Sequence, residues 1–487
     1  MTRRLAVVAV AAVLVVLFGF VGHRPAVRAP WSGGTDALAR GGATTWYCPM
    51  SPAGLDGATG RVVLTAFGGA ARATLLGYAT DGAALQPHQL EVPAHSQVVV
   101  PMADLGAGSP GASVQVHGGP VTVEQRITSA KQTDQATCTM NTGTRWYFPQ
   151  ASSLSGSSSR LWLVNPFPDE VALDIRIVTA DSARVPAALR GVVVGPRTSR
   201  MIDLGAIEGV AELREQFAVS VEARDGRVVA GLVWSISGSG LRLQTGVADT
   251  ATSWVLADSF GGEGVTDRLV VFNPAPVATT VRIGVRVSGV TDADQPDPFI
   301  RDVAARRYAT IDLDRESRLP RAGLRWIRVD SDGGRGVVVS EGIRLTKEGG
   351  GGTANERPAI GGGVAEATGA RIASRRWYVG SVDAQETGPS VVRIVNPSGR
   401  SIAQVRILAV VGGTSTPVAA KVEVPAGESL AVDVSAAAAA SAVGLQVDAT
   451  EPVVVSSRTT SNSAVDFAIT SAVPDARTAS PLEPADR

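Results

Sequence analysis

Few residues in this 487-residue chain are placed to do chemistry. Its four histidines, His23, His88, His95 and His117, stand in no ligand or catalytic pattern. HExxH, CxxC, the Walker loop and the GxSxG elbow, which would place a metal, a redox pair, a phosphate or a nucleophile, are all missing. "VTDADQPDPF" (290–299) gathers three carboxylates in a short loop, a composition that suits Ca²⁺. It lacks the ordered spacing and central glycine of an EF-hand loop, so the expected reading is a solvated turn. "VDSDGGRG" (329–336) reads as a hairpin turn, as does "EARDGR". No pair of acids suggests a glycosidase. The expectation is a non-enzyme with no catalytic residues, metal site or cofactor.

The two cysteines are the exception. Cys48 and Cys138 are the only ones in the chain, and both fall in its first hundred-residue unit, one near each end. Strands that open and close one sandwich come together, so a Cys48–Cys138 disulfide is expected; two free thiols are the other reading. No neighbouring histidine or cysteine completes a metal set.

The elements that carry these residues repeat. Nineteen residues separate Trp146 from Asn165, Trp254 from Asn273, and Trp377 from Asn396, and each Asn is followed by a proline: Pro166, Pro274, Pro397. Each Asn-Pro ends an apolar run, in "RLWLVNPF", "DRLVVFNPA" and "SVVRIVNPS". Trp46 with the same offset lands on Thr65, so a fourth copy lies at the front with its Asn-Pro replaced by Thr65-Ala66. A second mark recurs 56–58 residues after each Trp, where an apolar run ends in Asp104, Asp203, Asp312 or Asp433. Asn can bond its own backbone and Pro gives no N–H to a ladder, so Asn-Pro reads as turn chemistry. Asp at a strand end reads as a loop cap.

Within a unit, six or seven short strands are expected. "LDIRIV" alternates cleanly, with Leu173, Ile175 and Ile177 inward and Asp174 and Arg176 toward water. Helix is confined to pieces such as "IEGVAELREQ". Trp162 and Trp234 lie inside strands and read as core rather than as sugar platforms. The expected fold is all-β: four tandem antiparallel β-sandwich domains of immunoglobulin or fibronectin III character after an N-terminal transmembrane helix. The expected units are an anchor at 1–24, a linker at 25–44, repeats at 45–143, 144–251 and 252–347, a Gly-rich linker at 348–375, a fourth repeat at 376–474 and a tail at 475–487.

The anchor is read from Leu5 to Gly22, which carries no charge and has nearly the length that crosses a bilayer. Secretion after signal cleavage is the alternative. A strand-rich body with a cysteine pair suits the oxidising side of the membrane. Lys plus Arg number 45 and Asp plus Glu 45, a balance that argues against nucleic acid as a partner.

Anchor, "WYCP" and repeated Asn-Pro steps together resemble an actinobacterial family of membrane-anchored proteins catalogued as a domain of unknown function, number 5719. The resemblance extends from about Trp46 to the end. It implies a cell-envelope location and offers no catalytic residues. The functional expectation is therefore a non-enzymatic, single-pass envelope protein, its body extracytoplasmic and acting as a scaffold or protein-interaction surface. The alternatives are an accessory glycan-binding protein of cell-wall polymer assembly and, less favoured, a hydrolase with a loop-built site.

Overall fold

A computed structural model describes residues 42–106, 111–129, 132–237, 240–346, 362–382, 387–438, 443–461 and 466–482. The expected anchor lies outside them, as do His23 and the first half of the Gly-rich segment, 348–361. Among the described residues no helix is long and apolar enough to cross a membrane.

The chain is all-β, built of antiparallel sheets. The first unit sets the pattern with β1 (Ala43–Cys48), β2 (Thr59–Ala66), β3 (Ala71–Tyr78), β4 (His88–Val92), β5 (Gln97–Pro101), β6 (Gly111–Gly118), β7 (Val121–Thr128) and β8 (Thr133–Thr137). One sheet runs β1-β6-β3-β4 and the other β5-β2-β7-β8. The same order recurs three times along the chain. In the second unit the place of β4 is taken by two short pieces on Val171–Val178. In the fourth, β6 and β7 fuse into one strand, Val443–Ser461, whose two halves serve different sheets.

This order corrects the expected immunoglobulin-type topology, in which the first strand pairs with the second. Here β1 pairs with β6, while β2 pairs with β5 and β7. Each unit is also laid out on eight strand positions rather than six or seven. The eighth, "TDQAT" in the first unit and "LRLQT" in the second, is short and carries charge, so hydrophobic alternation does not reveal it. In the third unit the eighth strand is Gly363–Thr368, paired with Val338–Leu345. The stretch expected as a linker at 348–375 therefore contains the closing strand of the third unit and the start of the fourth. The expected tail is likewise tied in: Ala479–Pro481 pairs with Ile372–Ser374, and Leu482 is buried. "IEGVAELREQ" (207–216) forms only a 3-10 turn, Ala211–Leu213, just after another at Leu204–Ala206.

Each unit buries an apolar core between its two sheets. In the second, Leu173, Ile175 and Ile177 are fully buried against Trp146, Leu161, Leu163 and Leu232. The four repeat tryptophans occupy like places, each buried in its unit's first strand. Trp146 Nε1 donates to the Val228 carbonyl at 2.8 Å, Trp254 to Val337 at 3.0 Å and Trp377 to Val453 at 2.8 Å.

The Asn-Pro steps do what turn chemistry requires. Asn165 Oδ1 accepts from the Phe167 amide at 3.0 Å, while its Nδ2 donates to the carbonyls of Asp169, Val194 and Gly195. Asn273 repeats this with Ala275, Val277, Val303 and Ala304. Asn396 does so with Ser398, Ser401 and Val424. All three are completely buried, so each side chain supplies partners to backbone that would otherwise be orphaned. Replacing Asn165 by alanine strips those carbonyls and is expected to cost about 2–3 kcal/mol, read as a fall in the denaturant midpoint. In the first unit Thr65 instead hydrogen-bonds the Gly380 carbonyl of the fourth unit, and Gln97 Nε2 donates to Thr65 Oγ1 at 3.1 Å.

That contact belongs to a larger closure. Residues Asp36–Arg487 form one compact body, in which each unit touches the next and the fourth returns to the first. The eighth strands adjoin in the order β8, Gly240–Thr245, Gly363–Thr368, Phe467–Ser471 and back to β8, encircling the middle of a ring. Hydroxyls mark the closure: Thr245 Oγ1 donates to the Thr137 carbonyl at 2.8 Å, Thr137 Oγ1 to Ser471 at 3.1 Å and Ser471 Oγ to Thr368 at 3.4 Å. Where fourth meets first, the Phe67 and Tyr378 rings lie 4.8 Å apart and Arg126 donates to Ser381 Oγ at 2.8 Å. Eighth strands are sheet edges, and ring closure covers all four.

Candidate functional site

The residues singled out from sequence as possible chemistry are dispersed. His88 sits in β4 opposite Leu75, His95 takes a left-handed turn (φ 49°) and His117 is exposed in β6. Among the described residues no three metal-ligating side chains converge. The 290–299 loop is stapled to its own unit: Gln295 Nε2 donates to the Val287 and Val290 carbonyls, Thr291 Oγ1 to Asp294 at 2.6 Å, and Arg286 pairs with Asp292. Asp332–Gly334 is a tight turn with Gly333 and Gly334 at φ 66° and 70°. Of the strand-end aspartates, Asp203 accepts from the Gly205 amide and Asp433 from Ser435, while Asp312 pairs with Arg268 at 2.6 Å and Asp104 is exposed. Cys48 and Cys138 form a disulfide, with Cα atoms 4.8 Å apart.

What sequence reading missed is the charge buried where the units meet. Asp258 lies between Arg458, at 3.0 Å, and Arg393, at 3.3 Å, with all three side chains essentially inaccessible at the seam of units three and four. Arg325 and Asp267, equally buried, are 3.7 Å apart, and Ser259 Oγ donates to Asp267. Around the middle of the ring, Asp134 accepts from the Leu243 amide at 2.6 Å and Asp466 from Leu241 at 3.2 Å and Phe467 at 3.0 Å. Carboxylates thus satisfy backbone groups on strands that have lost one neighbour.

Desolvation is the largest influence on these acids. It holds Glu124, Asp134 and Asp466 up at about 7 and Glu366 at about 8, with nearby arginines opposing it. Burial raises Asp267 to about 6 against the hydrogen bond from Glu341 and the charge of Arg325, while burial and then the neighbouring Asp267 hold Glu341 well above the ordinary range. The native state therefore binds more protons than the unfolded chain between about pH 4 and pH 8, and stability falls as pH rises through that window. The thermal midpoint is expected to be several degrees lower at pH 8 than at pH 5; a midpoint that rises over that interval would contradict the buried protonated acids.

Among the described residues, hollows lie between units, three of them large enough to hold a ligand. One of about 190 Å³ opens at the tryptophan end of the ring, against Trp46, Trp254 and Trp377. A cleft of about 790 Å³ between units three and four mixes Arg286 and Arg400 with Asp292 and Glu451. The third, about 520 Å³, lies between units two and three and is different in charge. Arg214, Arg242, Arg268 and Arg344 line it, against Glu215 as the lone acid. Exposed Arg214, Arg344, Thr266 and Leu154 form its rim; half-buried Arg268, Gln216 and Tyr308 its wall; buried Gln150, Trp234 and Arg242 its floor. The wall is fixed across the seam, because Tyr308 Oη donates to the Gln216 carbonyl at 2.8 Å and Arg268 to Gln216 Oε1 at 2.7 Å. Of the two strand tryptophans read as core, Trp162 packs in the seam of units one and two with Met50 and Leu241. Trp234 also lines the cavity, under the Arg242 guanidinium at 5.5 Å.

Comparison with known proteins adds little to this geometry. A family of unknown function, DUF5719, matches residues 120–318, from the end of the first unit into the third. No curated protein matches the chain. Among solved structures, Thermotoga maritima 1070 is 15% identical over 25% of this chain and 95% of its own, with a TM-score of 0.18. Streptomyces avermitilis α-L-rhamnosidase, solved with L-rhamnose, is 10% identical over 63% of this chain and 44% of its own, at 0.14. The native conformation of E. coli α-2-macroglobulin is 9% identical over 85% and 28%, at 0.10. At such TM-scores none bears on fold or function.

Proposed function

We propose that this protein is a non-enzymatic component of the cell envelope: four tandem β-sandwich domains, held outside the membrane by one N-terminal span, acting as a scaffold or protein-interaction surface. The observation that carries this is the Cys48–Cys138 disulfide in a chain that begins with an uncharged apolar run. A bond of this kind persists in an oxidising compartment, and Leu5–Gly22 is long enough to tether the body there. The closed ring supports the scaffold reading, because buried seams hold four faces at fixed angles. The match of residues 120–318 to the family of unknown function supports the proposed kinship with that family.

Reporter fusions test the topology. Alkaline phosphatase joined after Arg487 is expected to be active and a cytoplasm-dependent fluorescent fusion dark; the reverse pattern overturns the reading. Crosslinking in intact cells is then expected to trap a discrete envelope protein on the ring, and recovery of uncrosslinked chain alone would remove the scaffold role.

A further inference from the structure

The cavity between units two and three is built to hold something. Two of its three floor residues, Arg242 and Trp234, present donors without acceptors. None of the Arg242 nitrogens Nε, Nη1 and Nη2 has a hydrogen-bond partner, and the Trp234 Nε1 donor has none either. Arg242 is 1% exposed and Trp234 5%. Guanidinium groups left this way are costly, because a buried donor without a partner loses its hydration and gains nothing in return. Three acids act on Arg242 through their charge: Asp134, Asp466 and Glu366. None forms an ion pair with it, and Asp134 and Asp466 instead accept from the strand amides described above. Burial raises all three acids, to about 7 for Asp134 and Asp466 and about 8 for Glu366, so near neutral pH they are only partly ionised, and none of them meets the guanidinium with a hydrogen bond.

The rest of the wall agrees. Arg344 and Arg214 stand at the mouth, the latter closing the 3-10 turn Ala211–Leu213 in a left-handed backbone conformation (φ 50°). Trp234 and Tyr308 supply flat apolar faces. At about 520 Å³ the space admits one or two pyranose rings. Arg242 on the floor, with Arg214 and Arg344 at the mouth, asks for an anion with several acceptor oxygens, and the aromatic faces ask for a ring to lie against them.

We propose that this cavity binds an acidic saccharide, a unit of one or two sugar rings bearing a carboxylate or a phosphate, with Arg242 and the Trp234 indole N–H meeting its anionic end and Arg214 and Arg344 closing over it from the rim. The site stands apart from the scaffold reading, since it requires neither the membrane anchor nor a protein partner.

Titration calorimetry on the full chain in mild detergent tests it, with digalacturonate, glucose 6-phosphate, inorganic phosphate and maltose as probes. At least one of the two sugar anions is expected to bind with Kd below about 1 mM, and which one binds tells carboxylate from phosphate. Maltose is expected to bind at least about tenfold more weakly, as lost charge-assisted hydrogen bonds imply. Arg214→Gln/Arg344→Gln, both exposed and so compatible with folding, is expected to weaken the anion about tenfold or more. Arg72→Gln, exposed on β3 of the first unit, serves as a control and leaves it unchanged. No binding by either sugar anion overturns the proposal, as does a rim variant that binds like the parent. Inorganic phosphate binding as tightly as the sugar anions removes the saccharide from it.

Discussion

Asp258→Ala is expected to destabilise the ring by about 3–5 kcal/mol, the largest effect of any single substitution foreseen here. The side chain removed is the common partner of Arg393 and Arg458, at 3.3 Å and 3.0 Å, in a seam that water does not reach. Burial already pushes the Arg393 guanidinium down to about 10, and Asp258 is the principal charge opposing that. Without it, two buried cations face each other and each keeps its desolvation cost. Ser429 Oγ, 3.0 Å from Arg393, is too weak to replace a carboxylate. Denaturant midpoints check this, and the seam assignment is checked separately. Asp258→Leu combined with Arg393→Met and Arg458→Met removes the whole buried set in favour of apolar volume. That triple variant is expected to recover most of the loss, since buried ion triads are often replaceable by well-packed hydrophobes. If Asp258→Ala costs under about 1 kcal/mol, as exposed pairs do, the group is not sealed between units three and four.

Removing the disulfide is the second large effect. Cys48 and Cys138 are separated by 90 residues, and constraining a loop of that length is worth about 4–5 kcal/mol on the chain-entropy model. Cys48→Ala/Cys138→Ala is expected to lose most of this, seen as a lower thermal midpoint that no longer responds to reductant. The repeat suggests a better replacement. β1 bridges to the segment after β8 through Tyr47 and Thr139, as Tyr147 does with Val247 and Val255 with Ala370. This register sets Cys48 beside Phe148 and Leu256, and Cys138 beside Gly246 and Gly369. In the second unit a Cβ on Gly246 would fall 2.7 Å from the Phe148 ring, so a large ring fills the space that the disulfide fills in the first. Cys48→Phe/Cys138→Gly is therefore expected to be more stable than the double alanine variant by about 1–2 kcal/mol, through recovered burial. Equal midpoints for the two would mean that the units do not pack alike at this position.

Such comparisons rest on a repeat that was legible in the chain because its marks are local. Trp, Asn-Pro and the strand-end Asp act within one unit, on their own backbone or on a strand a few tens of residues away. Asn165, Asn273 and Asn396 do the same job at the same offset, and local chemistry of that sort leaves a fixed spacing behind. The cysteine pair was legible for a similar reason, since both members lie in one unit at its two ends. The all-β character followed from alternation in strands such as "LDIRIV", where one face meets the core and the other meets water.

What tertiary structure alone decided is everything that happens between units. The eighth strands escaped notice because they are covered on a second side by neighbours, so they carry Asp134, Arg242 and Glu366 where alternation predicts simple apolar residues. Trp234 looked like core and is core on one side and cavity floor on the other. Arg242 in "LRLQT" is indistinguishable, as a letter, from any arginine on a solvent face. Sequence records which residues a strand holds and at what period. It does not record which unit closes against which, and burial by a distant unit is what turns an ordinary charge into a buried, unpartnered one.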